Sequence, residues 1–427
     1  MYTAFRALRH RNFRLFYCGQ FISLIGTWMQ NVALSWLVYR LTGSAALLGV
    51  VSFCGQVPVS LLSLLGGHWA DRHSRHRTVI ATQTAAMVLA LILAALTLLQ
   101  VVRVWEIIAL SALLGVVYAF DIPARQSFLG EMVGREDLMN AIALNSSIFN
   151  GARVVGPAVA GILVALIGEG WCFCANGASY LAVIAGLLLM RITPVPHPPA
   201  TNGTLSHIGE GLRFVFSHRP IRDLLLLVGL MSMTAMPYAV LMPVFAKEIL
   251  GKGAQGLGML MGAAGVGAFL GALGLASRKG VRGLPALVAA GAASLGTSLI
   301  LFSLSRTFWL SLVLLVPVGG STMVQMGCAN TLLQSMTPDH LRGRVMACYT
   351  VMFMGMAPAG ALLAGVLAGH LGAPGTVALG GSLALVGALA FILRLPQSRA
   401  EGERLLDDQG VPSEAVPPMD AGVDPAR

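Results

Sequence analysis

Long apolar stretches separated by short charged segments occupy the chain from near its start to about residue 394. A helix needs about 20 mainly apolar residues to cross the hydrocarbon core of a bilayer. Twelve stretches reach that length, and the last two are divided only by the turn signal at residues 372–375. The pattern therefore predicts twelve membrane-spanning helices, near residues 15–39, 45–68, 78–100, 104–121, 141–168, 170–191, 222–246, 254–277, 283–305, 307–330, 345–369 and 374–394.

The composition agrees with a membrane protein. Of the 427 residues, 56% are hydrophobic and 11% are charged, whereas a soluble surface needs about 25% charged residues. High apolarity together with 50 glycines excludes disorder, a disulfide scaffold and a coiled coil. The six cysteines lie in apolar stretches without a metal-ligand spacing, so we expect buried thiols and neither metal nor cofactor.

The basic residues are distributed unequally between the two predicted sides of the membrane. Twenty-two of the 28 fall in the N-terminal segment, in alternate loops on the same side or in the C-terminal tail, five fall on the other side, and Arg153 lies inside a span. Short cytoplasmic loops carry an excess of Lys and Arg, so the pattern predicts that both termini are cytoplasmic. It also accounts for the net charge of +10 without nucleic acid as a partner.

The spans form two halves that resemble each other. Ala70-Asp71-Arg72 and Ala276-Ser277-Arg278 occupy matching positions in the two halves. We predict an all-α integral membrane protein with two pseudo-symmetric six-helix bundles and a substrate site between them near the membrane midplane. The predicted organisation is a cytoplasmic N-terminus (1–14), a first bundle (15–191), a cytoplasmic linker (192–221) with an amphipathic piece, a second bundle (222–394) and a disordered cytoplasmic tail (395–427).

Polar residues at helical spacing mark helix faces that turn away from lipid. Such a stripe on the first span favours substrate contact, although interhelical hydrogen bonds, worth about 0.6 kcal/mol each, are the alternative. Shorter polar sets occur on spans five, seven and ten. The predicted substrate-binding residues are Gln20, Ser23, Thr27, Gln30, Asn31, Asn150, Arg153, Tyr238 and Gln325.

Arg153 is the one formal charge deep in a predicted span, and burying it unpaired would cost at least about 2.5 kcal/mol. Two interpretations stay open: a structural arginine bonded to neighbouring polar groups, or a ligand for an anionic substrate. Glu106 and Asp121 fall near the ends of span four, where we predict that they anchor loops. No carboxylate lies at the centre of a predicted span, so proton coupling has the least support from the residues.

The loop after the second span has features of a cytoplasmic gate. Gly67 permits close helix approach, Asp71 can accept hydrogen bonds from a helix N-terminus, and Arg72 and Arg75 suit an anionic lipid surface. We predict that these four residues open and close with the transport cycle. A merely basic inner loop is the alternative.

This loop resembles the signature loop of the major facilitator superfamily at Gly67, Ala70, Asp71, Arg72 and Arg75. Other segments resemble the branch of bacterial exporters that includes the enterobactin exporter, and Gly156-Pro157 resembles the kink on helix five of antiporters. Those segments are residues 26–30, 36–39, 41–44, 121–125, 150–153 and 341–345.

The resemblance implies a multi-pass transporter of the bacterial inner membrane that exports small molecules, often driven by the proton gradient. We expect a monomer that works by alternating access on a small amphipathic substrate such as a siderophore, a drug or a lipid-like compound. Uptake by the same fold and a non-transporting receptor or assembly factor are the alternatives. An enzyme is not expected, because the spans hold no catalytic cluster and the chain lacks a phosphate-binding GxxxxGK[ST] loop.

Overall fold

The computed structural model describes residues 5–191, 204–278, 280–281 and 283–409, and nearly all of them are helical. Eleven helical stretches in this described part are long and apolar enough to cross a membrane, and the last of them is interrupted at Gly372, which makes twelve helices. The membrane helices are α1 (Arg11–Thr42), α2 (Ala45–Arg72), α3 (Arg75–Leu98), α4 (Val104–Gly134), α5 (Glu136–Ile167), α6 (Glu169–Leu188), α8 (Arg219–Ile249), α9 (Gly253–Ala276), α10 (Leu284–Leu304), α11 (Phe308–Ser335), α12 (339–371) and α13 (373–408), and α7 (Thr204–Ser217) lies in the linker.

Two glycines interrupt stretches that would otherwise be continuous helices. Gly134 ends α4 with φ 73°, and Gly372 ends α12 with φ 71°. Glycine adopts this left-handed backbone without the steric penalty of a Cβ atom. The predicted turn at residues 372–375 is therefore present. The predicted end of span four at residue 121 is wrong, because α4 continues for about three further turns to Gly134.

Short polar caps separate the first four helices. The Ser44 hydroxyl accepts a bond from the Leu47 amide at the start of α2, and Ser74 does the same for the Arg77 amide in α3. Glu106 accepts a bond from the amide of Arg103 at 2.9 Å, which satisfies a free donor at the start of α4. These caps explain why connections of only two to five residues suffice between long helices.

Helices α1–α6 pack together, as do α8–α13, and the two bundles meet at one end. We call the end at which α1 begins the terminal side and the opposite end the far side. Towards the far side, α2 packs on α12 at Gly49 and Gly365, and α5 packs on α9 at Gly161 and Gly258. Tyr39, near the end of α1, also donates a hydrogen bond to Glu248 of α8.

The same helices leave open space on the terminal side. A Cβ atom added to Gly67, Gly151, Gly274 or Gly343 would meet no atom within 4 Å. The side chains of Leu64 and Leu65 on α2 are 73% and 59% exposed there. The contacts described between the bundles lie on the far side and in the middle of the helices, at Gly49–Gly365, Gly161–Gly258 and Tyr39–Glu248, so the crevice between the bundles opens on the terminal side.

The prediction of a disordered tail is wrong for the part of the tail that the structure describes. Helix α13 continues to Asp408, and Leu405 and Leu406 are buried. Gly402 packs near Pro220 at the start of α8. An apolar pair at the end of the helix finds a covered position against the second bundle, which composition alone does not reveal. Residues 410–427 of that prediction lie outside the described residues, as do residues 192–203 of the predicted linker.

Candidate functional site

A cavity of about 620 Å³ lies between the two bundles. Helices α1, α2, α4 and α5 form one wall, and α8, α9 and α12 form the other. Most of the lining is apolar, which suits the hydrophobic part of an amphipathic solute. The polar side chains of the lining are Asn31, Ser35, Ser52, Gln56, Ser60, Ser111, Tyr118, Arg153 and Tyr238.

Arg153 is the one charged residue among those that line this cavity. It lies in the interior of α5, and its guanidinium carbon is 5.6 Å from the centroid of the Trp28 ring on α1. Tyr238 belongs to the opposite wall. Within the described part of the chain, no carboxylate pairs with Arg153, and no hydrogen bond joins it to Asn145, Asn150 or Tyr118.

The chemistry of this arginine favours an anion. A guanidinium stays charged at any physiological pH and presents five N–H donors that match a carboxylate or phosphate. Contact with an aromatic face stabilises the charge without using those donors in conventional hydrogen bonds. Arg153 can therefore bind an anionic group inside an otherwise neutral cavity.

The predicted stripe on α1 is divided between two environments. Asn31 lines the cavity, whereas Gln20, Ser23, Thr27 and Gln30 do not. Gln30 is buried and its Oε1 accepts a hydrogen bond of 2.7 Å from Asn176 on α6. The Thr27 hydroxyl donates to the carbonyl of Ser23 within its own helix. Because α1 turns this face to α6, these four residues contribute to helix packing in this structure.

Two further residues of the predicted substrate site, Asn150 and Gln325, lie away from the cavity, whereas Arg153 and Tyr238 both line it. The Asn150 amide donates to the carbonyl of Ser146 one turn earlier in α5. Gln325 is fully buried in the second bundle, where it packs against Gly291 of α10. Neither residue lines the space between the bundles.

A polar stripe that the sequence analysis did not single out runs along α2. Ser52, Gln56 and Ser60 line the cavity at intervals of four residues. The Ser60 hydroxyl also donates to the carbonyl of Met354 on α12 at 3.1 Å, which links the two walls. The same helical spacing that marks α1 marks this stripe, so the signal is present in the sequence.

The prediction that Asp121 anchors a loop is wrong. It lies inside α4 and is only 1% exposed. Its Oδ1 accepts hydrogen bonds from Thr82 at 2.8 Å and Gln83 at 2.9 Å, both on α3, and its Oδ2 pairs with Arg125 at 3.2 Å. The extension of α4 to Gly134 places this carboxylate within the helix rather than at its end.

The predicted gate residues lie at the end of α2 and at the start of α3, on either side of the short connection. Close packing occurs at Gly66, whose added Cβ would lie 2.0 Å from the Ala119 carbonyl oxygen, and not at Gly67. Asp71 is mostly exposed and lies 3.6 Å from Arg75, while Arg72 is exposed. Arg75 also pairs with Glu131 of α4 at 2.8 Å. This connection is therefore fastened to the first bundle in the present conformation.

The Gly156-Pro157 pair lies where α5 passes both the cavity and α1. A Cβ atom at Gly156 would lie 2.5 Å from Cβ of Trp28, so the glycine allows α1 to approach closely. Pro157 lines the cavity, and its carbonyl oxygen lies beside Gly258 of α9. The backbone of α5 stays helical here, and the predicted kink stays a prediction.

Known proteins resemble this chain over most of its length. Multidrug efflux pump Tap of Mycolicibacterium fortuitum is 27% identical over 86% of this chain and 92% of its own length. The enterobactin exporter EntS of Escherichia coli is 28% identical over 90% of this chain and 92% of its own length. The staphyloferrin A transporter of Staphylococcus aureus is 27% identical over 58% of this chain, and the match covers 62% of that protein.

Solved structures share the fold at low sequence identity. A bacterial homologue of the lysosomal transporter Spinster, in an inward-facing and unoccupied conformation, has a TM-score of 0.67 at 13% identity and covers 95% of this chain and 99% of its own. A POT family transporter in complex with a thioalcohol-conjugated peptide has a TM-score of 0.72 at 11% identity, covering 91% of this chain and 96% of its own.

The family described as transmembrane secretion effectors matches residues 2–417, which is nearly the whole chain. The predicted twelve-helix architecture and the predicted superfamily are both confirmed by these matches. The protein is thus a multi-pass membrane transporter of small molecules and not an enzyme. The chain belongs to the transmembrane secretion effector family of the major facilitator superfamily.

Proposed function

We propose that this transporter exports small amphipathic anions from the cytoplasm by alternating access. The observation that carries the proposal is the cavity with Arg153 as its one charged lining residue. An apolar cavity of about 620 Å³ accommodates a hydrophobic body, and the guanidinium supplies one anchor for a carboxylate or a similar group.

The direction of transport is supported by the relatives. The enterobactin exporter and the multidrug efflux pump are named for outward movement of their substrates. The distribution of basic residues supports an orientation in the inner membrane of a bacterial cell with both termini in the cytoplasm. In that orientation the crevice on the terminal side faces the cytoplasm, from which an exporter collects its substrate.

Alternating access requires that the contacts on the far side open while the terminal side closes. The bundles contact each other mainly through two helix pairs, α2 with α12 and α5 with α9, and a rocking motion about these pairs would alternate the access. The connection with Asp71, Arg72 and Arg75 would then act as the cytoplasmic gate when the terminal side closes. A proton gradient is the proposed driving force, and the transporter works as a monomer.

Flux into inside-out proteoliposomes tests the proposal. Radiolabelled deoxycholate at micromolar concentration serves as an anionic amphiphile, and ethidium serves as a cationic amphiphile of comparable size. We expect saturable accumulation of deoxycholate, with partial activity in Arg153→Lys, less than a tenth of wild-type activity in Arg153→Ala, and no saturable flux of ethidium.

Three results would contradict the proposal. Deoxycholate flux as high in the Arg153→Ala variant as in wild type would show that Arg153 does not select anions. Accumulation only in right-side-out vesicles would show uptake instead of export. Loss of monodisperse protein in both Arg153 variants would assign the residue to folding rather than to binding.

A further inference from the structure

Asp121 is a buried carboxylate beside the cavity that substrate recognition does not use. Tyr118, one turn away on α4, and the neighbouring Ile122 both line the cavity, while Asp121 points to α3. Ionisable groups inside membrane helices are costly and commonly mark proton relays. A carboxylate in this position therefore calls for a functional explanation.

The neutral groups around Asp121 can serve both of its protonation states. Thr82 and Gln83 donate hydrogen bonds to the ionised carboxylate. Gln83 is 4% exposed, and its Oε1 has no hydrogen-bond partner in the described structure. A glutamine amide carries donors on nitrogen and an acceptor on oxygen, and a hydroxyl has both functions. After rotation of the amide, Oε1 can accept a hydrogen bond from a protonated Asp121.

The charged and titratable surroundings of Asp121 are few. Arg125 lies one turn nearer the terminal side on the same helix, and its side chain is 23% exposed. Tyr118 is a titratable group one turn earlier on α4, and its hydroxyl lies 3.5 Å from that of Tyr180 on α6. Helix α3 contributes the neutral Thr82 and Gln83, and α2 packs its Gly66 against Ala119 of α4.

We propose that Asp121 is the group that binds and releases the coupling proton, an inference that rests on the proposed export function for its role in transport. The ion pair with Arg125 belongs to the ionised form, in which the crevice is open on the terminal side. In the opposite conformation a proton from water on the far side binds to Oδ2 and neutralises the carboxylate, which ends the ion pair. When the crevice reopens, Arg125 favours the ionised form again and the proton passes to water on the terminal side.

Infrared spectroscopy of the full-length protein in lipid nanodiscs detects this protonation directly. Difference spectra between acidic and alkaline buffers are compared for wild type, Asp121→Asn and the control Asp223→Asn. Asp223 is a matched control, because it is also buried and pairs with an arginine, Arg394, at 3.4 Å. Because the chain has 18 Asp and Glu residues, we expect one component of the carboxylic acid C=O band to be present in wild type and in the control and absent from Asp121→Asn.

A second measurement links the proton to the conformation. Spin labels at Ser74→Cys and His340→Cys, in a background without native cysteines, report the separation of the bundles on the terminal side. We expect acid to shift the distance distribution of the wild type, whereas Asp121→Asn should keep the acidic distribution at every pH. Asp223→Asn should respond as the wild type does.

Several outcomes would overturn the inference. They are the same band in Asp121→Asn as in wild type, no band in wild type across its stable pH range, or an unchanged pH response of the spin-label distances in Asp121→Asn. If Asp121→Asn does not fold, Asp121→Glu keeps the carboxyl group and should shift the midpoint of the band. Neither measurement needs a transported solute, so failure of deoxycholate export would contradict the proposed function and leave these results interpretable.

Discussion

The guanidinium carbon of Arg153 lies 5.6 Å from the centroid of the Trp28 ring, and this pair joins α5 to α1 at the wall of the cavity. The Trp28 ring also meets the Phe149 ring edge to face, with centroids 5.8 Å apart. The indole is therefore fixed by a neighbour on α5 while it stabilises the charge. A positioned cation of this kind loses less freedom when an anion binds to it.

Replacement of Trp28 by leucine should weaken deoxycholate binding. A cation–π contact contributes about 0.5 to 2 kcal/mol, which corresponds to a roughly 2- to 30-fold increase in Kd. Equilibrium binding to detergent-solubilised protein measures the change. Phe149→Leu is the control, because Phe149 contacts the indole and not the guanidinium, and it should change Kd less. An equal effect of both substitutions would indicate that bulk alone matters.

Gly66 and Gly67 should differ sharply in their tolerance of alanine. A Cβ atom at Gly66 would lie 2.0 Å from the carbonyl oxygen of Ala119, whereas at Gly67 it would meet nothing within 4 Å. Overpacking of this kind costs about 1 to 3 kcal/mol. Thermal unfolding should show a lower Tm for Gly66→Ala than for Gly67→Ala. A lower Tm for Gly67→Ala would contradict the packing described for α2 and α4.

The hydrogen bond from Tyr39 to Glu248 should stabilise the conformation that is closed on the far side, because it joins the two bundles. Tyr39→Phe removes a bond to a charged group, worth about 1.5 to 3 kcal/mol, and should raise the open population on that side at least about tenfold. Labelling of cysteines placed on the far side measures that population.

A matched control for Tyr39→Phe exists on the same side of the molecule. Arg40 bonds Glu169 at 2.7 Å, but both residues belong to the first bundle. Arg40→Gln should therefore alter stability without changing the accessibility of the far side. If Arg40→Gln opened the far side as strongly as Tyr39→Phe, the Tyr39 bond would not be the specific closing contact.

Truncation before Glu401 should destabilise the protein, although the tail was predicted to be disordered. Leu405 and Leu406 are buried, and removal of a buried leucine side chain costs about 2 to 5 kcal/mol. The double substitution Leu405→Ala, Leu406→Ala tests this without shortening the chain. Arg404→Ala, at an exposed neighbouring position, is the control. Equal Tm values for the two variants would show that the end of α13 adds nothing to stability.

Asp71→Asn should slow deoxycholate flux while leaving the Tm unchanged. In the present conformation Asp71 is exposed and, among the described residues, pairs only with Arg75, at 3.6 Å, so its loss costs little here. Its proposed role belongs to the conformation in which the terminal side is closed. Initial flux rates in vesicles with equal protein content give the comparison, and an unchanged rate would eliminate the gate.

Hydrophobic length predicted the fold well, because the bilayer imposes that length on every span. The turn at Gly372 was readable for a similar reason, since a glycine and a proline side by side interrupt a helix. The end of α4 was not, because residues 122–134 carry charges and extend as a helix beyond the apolar run. Because of that extension Asp121 lies inside the helix, although the apolar run in the sequence ends at this residue.

The site residues were harder to predict than the helices. A polar stripe shows that a helix face avoids lipid, but it does not show whether that face meets a cavity or another helix. Gln30 and Gln56 illustrate this, since one bonds Asn176 and the other lines the cavity. The rotation of each helix about its axis is set by packing across the whole bundle, which local spacing does not encode. The position of Arg153 in the cavity was easier to predict, because a lone charge inside a membrane span has to face water, a polar group or a ligand.

The close contact between α5 and α9 has a consequence for how cargo moves. A Cβ atom at Gly265 would lie 2.7 Å from the carbonyl oxygen of Arg153, so one of the close approaches of the bundles lies beside this residue. If the bundles rock about this contact, Arg153, the proposed anchor for an anion, lies at the pivot and moves very little. The bound solute then stays nearly still while the two rims of the protein swing past it, and only its neighbouring solvent changes from one compartment to the other.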